Sequence, residues 1–109
     1  MAFLAIDFWP GGTMDQYSAT VAVLHPRTGL PDGQVYHAAG PTDGGVLVAA
    51  VWESKDDMDR FMRDTVMAGM PIEGGLAGQP DERTAEVENL VTAFDQPPSV
   101  REESASVLS

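Results

Sequence analysis

The run Gly44-Gly45-Val46-Leu47-Val48-Ala49-Ala50-Val51-Trp52-Glu53 constrains this chain more than any other stretch. Val46, Val48, Ala50 and Trp52 alternate with Leu47, Ala49 and Val51, so the strand predicted from about Val46 to Glu53 is apolar on both faces. A strand of that kind must be covered on both sides. A chain of 109 residues has too few helices to do so alone, and a partner subunit is the expected cover. Ser54 follows at once as a helix cap, with Asp56 and Asp57 near the positive helix end. Met58, Phe61, Met62, Thr65 and Val66 then form the predicted inner face of a helix that Gly69, Pro71 and Gly74-Gly75 break.

The same reading extends to both sides. Residues 2–9 alternate and predict a strand with Leu4, Ile6 and Phe8 on one face and Phe3, Ala5, Asp7 and Trp9 on the other. Pro10-Gly11-Gly12 stops it, and Thr13 with Gln16 forms a capping box. Met14, Tyr17, Val21 and Leu24 continue as a helical stripe, ended by Pro26 and Gly29. Residues 34–40 predict a second strand, joined to the third by a short hairpin link. Residues 70–82 read as a long connection. Residues 83–94 predict a fourth strand, with Val87, Asn89 and Val91 on one face. The order β-α-β-β-α-β implies an α+β, ferredoxin-like domain over 1–95, with a four-stranded antiparallel sheet. Both helices then share one face, and the other is left for a two-fold homodimer contact. A flexible tail is expected at 96–109.

Composition narrows the partners. Seventeen acidic against six basic residues give a formal charge of -11, which argues against nucleic acid and anionic membrane surfaces. The absence of cysteine excludes disulfides, thiolate catalysis and cysteine-bound metals. No His-x-x-x-His or carboxylate cluster appears, so neither a metal nor a cofactor is expected. The N-terminus lacks the pattern of a signal peptide and no stretch is long enough to span a bilayer, so the expected location is cytoplasmic.

Several of these segments also resemble a known superfamily. Pro10-Gly11-Gly12-Thr13 leading to Gln16-Tyr17, then Tyr36-His37-Ala38-Ala39-Gly40, Gly44-Gly45 and Val51-Trp52-Glu53-Ser54 with Phe61 beyond, resemble the dimeric α/β-barrel superfamily. The branch most similar is that of small antibiotic-biosynthesis-monooxygenase-like proteins. The resemblance covers residues 2–94 and implies a homodimer with its sheets face to face. It also implies a pocket between sheet and helices. Some members of the branch oxidise polycyclic phenols with O₂ and no cofactor; others degrade haem, and many have no assigned activity. The haem-degrading members use an asparagine, a tryptophan and a histidine. Asp7, about Phe61, and the Met70-Pro71 region stand in those places here, so that activity does not carry over.

His37 is the leading candidate for chemistry. A strand histidine facing a pocket, between Val35 and Ala39, can accept a phenolic proton near neutral pH. A packed core or interface histidine is the competing reading. Asp7, on an otherwise apolar face, has a raised pKa if buried unpaired and can then act as a base; a solvent-reaching aspartate is the alternative. Asn89 can bind a substrate oxygen or satisfy nearby backbone. Tyr17, Tyr36, Trp52, Phe61 and Met62 are candidate walls for a small aromatic ligand, with ordinary packing as the competing and stronger reading for Tyr17, Tyr36 and Trp52. His25 reads as a cation at the end of the first helix. The functions in play are cofactor-independent oxidation of a small aromatic or polyketide-like substrate, and a non-catalytic ligand-binding, accessory or structural dimer.

Overall fold

The structure, a computed structural model, describes residues 1–25 and 29–92. Pro26, the expected domain end at 95 and the expected tail at 96–109 lie outside the described residues. The elements are β1 (Phe3–Pro10), α1 (Met14–Leu24), β2 (Gln34–Thr42), β3 (Gly45–Trp52), α2 (Lys55–Phe61), a π-helical turn (Met62–Val66), the short α3 (Met67–Gly69) and β4 (Asp81–Glu86). They form an α+β domain around a four-stranded sheet in the order β2-β3-β1-β4, antiparallel at every pairing. β1 and β2 run the same way with β3 between them, so α1 joins parallel strands that do not touch.

Register assigns each side chain to a face. Phe3, Ala5, Asp7 and Trp9 stand opposite Trp52, Ala50, Val48 and Val46. This is the covered face: Val46 is 0%, Trp52 3% and Phe3 6% exposed, and Met58 and Phe61 of α2 pack on Trp52, Phe3 and Ala50. Burying side chains of this size contributes roughly 2–3 kcal/mol each. His37 stands opposite Ala50 and bonds Tyr17 of α1, so both helices cover the same side. Leu4, Ile6 and Phe8 opposite Val51, Ala49 and Leu47 make up the other face, where Leu47 is 42% exposed.

Local chemistry fixes the helix starts. The Thr13 N–H donates to Gln16 Oε1 at 2.9 Å and the Gln16 N–H donates to Thr13 Oγ1 at 3.2 Å, closing the capping box. Ser54 Oγ accepts from the Asp57 N–H at 3.1 Å and donates to Asp57 Oδ2 at 2.9 Å. Gly33, at φ +87°, lets the α1–β2 loop lie against this cap, because a Cβ there would stand 2.6 Å from Asp57. The connection after α3 returns to α1, where the Leu76 N–H donates to Thr20 Oγ1 at 2.8 Å.

Three expectations need correction. β4 is Asp81–Glu86 rather than 83–94, because its partner β1 pairs only from Phe8↔Asp81 to Phe3↔Glu86. The alternation of Val87, Asn89 and Val91 therefore lies past the strand, and every residue of β4 is exposed. A charged outer strand of this kind discourages edge-to-edge pairing. The second helix does not keep one period either. A π turn follows, with the Met67 N–H bonded to the Met62 carbonyl, and Met62 is 41% exposed instead of on the inner face. Finally, the ladder shifts register between Gln34 and Tyr36. Gln34, opposite Trp52, thereby joins His37 on the covered side, and Val35 is the extra residue.

Candidate functional site

Four elements bring a row of rings together on the covered face. β2 supplies His37, α1 supplies Tyr17 and, at its C-cap, His25; α2 supplies Phe61 and β3 supplies Trp52. Tyr17 Oη lies 2.5 Å from His37 Nε2, with the rings stacked at 5.8 Å and 26°. His25 meets His37 edge to face, with centroids 4.7 Å apart. Phe61 packs on His25 at 6.3 Å and on Trp52 at 5.3 Å.

Electrostatics in this row favours uncharged imidazoles. Burial, with His25 adding a smaller repulsion, pushes the His37 pKa down to about 4. Burial lowers that of His25 and raises that of Tyr17, which keeps its proton at neutral pH. His25 is thus a neutral partner within the row rather than a helix-end cation; its backbone N–H caps α1 by donating to the Val21 carbonyl at 2.9 Å. His37 Nδ1 is buried and has no hydrogen-bond partner among the described residues. When Nε2–H donates to the Tyr17 oxygen, Nδ1 presents a lone pair.

Asp7 occupies the same face at another register position. It stands opposite Val48 on one side and Glu82 on the other. Burial, then a hydrogen bond and charge repulsion from Glu82, push its pKa up to about 8. That raised value favours the neutral, protonated form of Asp7 at neutral pH. Asp7 Oδ1 and Gln34 Oε1, like His37 Nδ1, are buried without a partner among the described residues. Native interiors pair nearly all such atoms, so three of them along one covered sheet face depart from ordinary core packing.

A cleft of about 330 Å³ adjoins the row. Leu24, Leu30, Pro31 and Phe61 give it apolar walls, and Asp32 and Asp64 add charge. Phe61 belongs to both the cleft and the row of rings, whereas His37 and Tyr17 do not line the cleft.

Of the residues singled out in the sequence, His37, Tyr17, Trp52 and Phe61 come together, and Asp7 shares their face. Tyr36 stands opposite Val51, on the other face. Met62 and Asn89 are exposed and stand apart from the row. His25, Gln34 and Glu82 are the participants the sequence concealed. Their roles depend on a cap conformation, a β-bulge and a strand register, none of which leaves a motif. Among the described residues, no group of three or more His, Cys, Asp or Glu side chains is placed to hold a metal. No described helix is long and apolar enough to cross a membrane. No family model matches the chain, and neither a curated protein nor a solved structure does.

Proposed function

We propose that this protein is a ferredoxin-like homodimer of the dimeric α/β-barrel type that binds a small aromatic molecule between sheet and helices. In this reading it acts as an antibiotic-biosynthesis-monooxygenase-like enzyme, and His37 takes a phenolic proton from the ligand. The resulting phenolate is electron-rich enough to reduce O₂ without a cofactor. The observation that carries the reading is the buried, unpartnered Nδ1 of a neutral His37, set between Tyr17 and His25. Tyr17 holds the ring by its other nitrogen, as a base requires. The apolar face built on Leu4, Ile6, Phe8, Leu47 and Val51 supports the homodimer, because a second copy of the same face closes it by two-fold symmetry.

A second reading has its own support. The described cleft ends at Phe61 and does not include His37, which favours ligand binding without turnover. Titration with 1-naphthol in air separates the two. The enzymatic reading expects shifts in the His37 imidazole resonances, oxygen uptake, and loss of uptake in His37→Ala with the dimer intact. Shifts confined to Leu24 and Phe61, without oxygen uptake, would favour the binding protein. Light scattering should give about twice the 11.6 kDa chain mass, and a clean monomer would end the homodimer reading.

A further inference from the structure

The cleft beside the row of rings has a chemistry of its own. It lies where α1 ends, between Leu24, the following loop at Leu30, Pro31 and Asp32, the last turn of α2 and the π turn at Thr65. Its volume of about 330 Å³ is enough for a small molecule of one ring and a short chain. Leu24, Leu30, Pro31 and Phe61 offer that molecule apolar contact. Neither His37 nor Asp7 lines it, so its occupancy is independent of any base at His37.

Charge decides what the molecule carries. Arg60 lines the cleft, but its Nη2 donates to Asp57 Oδ1 at 2.6 Å. Asp64 lines it too, and Arg63 donates to both of its oxygens, from Nε at 2.9 Å and from Nη2 at 3.4 Å. Asp32 is left over: among the described residues, no hydrogen bond or ion pair engages its carboxylate. The backbone adds to the same sign. α1 runs for 11 residues and ends at Leu24 with no basic residue in its last turn, so the negative end of its dipole stands uncompensated at the cleft wall. The whole chain, at -11, draws cations rather than anions toward it.

We infer that the cleft binds a small organic monocation, a primary ammonium joined through a short chain to one apolar ring. The ammonium lies at Asp32 and the ring packs against Leu24, Pro31 and Phe61. A single unpaired carboxylate selects a single positive charge. An anion meets repulsion from Asp32 and from the helix end, and a neutral molecule of the same shape forgoes the attraction. Asp32 is exposed, so the attraction amounts to a few-fold in affinity rather than orders of magnitude.

The test is titration of the full chain with 2-phenylethylammonium, 2-phenylethanol and phenylacetate, near neutral pH and at low salt, followed by NMR at Leu24, Leu30 and Thr65. The ammonium should give saturable shifts there and bind at least about threefold tighter than the alcohol, with phenylacetate weakest. Asp32→Asn should erase the preference for ammonium and leave the affinity for the alcohol unchanged; asparagine before Gly33 keeps the turn chemistry, and with it the fold. Asp43→Asn removes the same charge from the link between β2 and β3 and should leave the preference intact. No saturable shift with the ammonium, or equal affinity for ammonium and alcohol, would overturn the inference. So would a preference that survives in Asp32→Asn, or one that Asp43→Asn lowers as much, because its source would then be the charge of the whole chain.

Discussion

The two faces of the sheet each depart from what a solitary domain needs. The face covered by helices holds Asp7, Gln34 and His37, each with a buried polar atom lacking a partner. The uncovered side of β1 and β3 holds only Leu4, Ile6, Phe8, Leu47, Ala49 and Val51. Burying polar atoms costs free energy unless they are paired, and exposing an apolar sheet face forgoes a favourable burial. On the proposed reading, the covered face takes a ligand and the uncovered one a second copy of the chain.

Adjacent residues of β3 test that contrast with the largest effects. Val46 is fully buried and Leu47 is 42% exposed on the opposite side. Val46→Asp should cost on the order of 4 kcal/mol or more and unfold the domain, as read by urea denaturation. Leu47→Asp should keep the monomer fold by circular dichroism yet abolish association by light scattering. If both unfold alike, the two faces are not distinct in the way described.

A smaller effect sharpens the covered side. In the unfolded chain Asp7 titrates near 3.8, and in the fold near 8. The folded form thus binds the extra proton between those values, and the stability Asp7 lends is full below about pH 4 and lost as pH rises toward about 8. Asp7→Asn should therefore stabilise the protein at pH 8 by on the order of 1–2 kcal/mol, allowing for solvent screening of a half-exposed carboxyl. It should also flatten the decline in melting temperature from pH 4 to 8. A destabilised variant at pH 8 would show that the carboxylate is paired in a way the fold does not suggest. The smallest effect lies outside both faces: Ser54→Ala should remove the α2 cap at a cost of about 1 kcal/mol in urea denaturation.

What could be read from the sequence follows how local each feature is. The two caps at Thr13 and Ser54, the doubly apolar β3 and the order of elements depend on neighbours within a few residues, and they were legible. The end of β4 was not, because β1 sets it from about 80 residues away through the Phe3↔Glu86 pairing. The extra residue at Val35 and the π turn after Phe61 each break a period without a glycine or proline to announce it. In the site, His37 stood out by residue type. His25 did not, because a helix-end histidine ordinarily reads as a cap. Glu82 becomes a partner of Asp7 only once the strands are in register.

The central claim is that the covered face keeps an uncharged base, and the His37 imidazole resonances test it most directly. Their titration by NMR in the free protein should give a pKa near 4, below the ordinary 6.5. Between those values the unfolded chain binds more protons than the folded one, so stability should fall as pH drops through the same window. A His37 pKa at or above 6.5 would mean a solvated or ion-paired imidazole, and it would contradict the account.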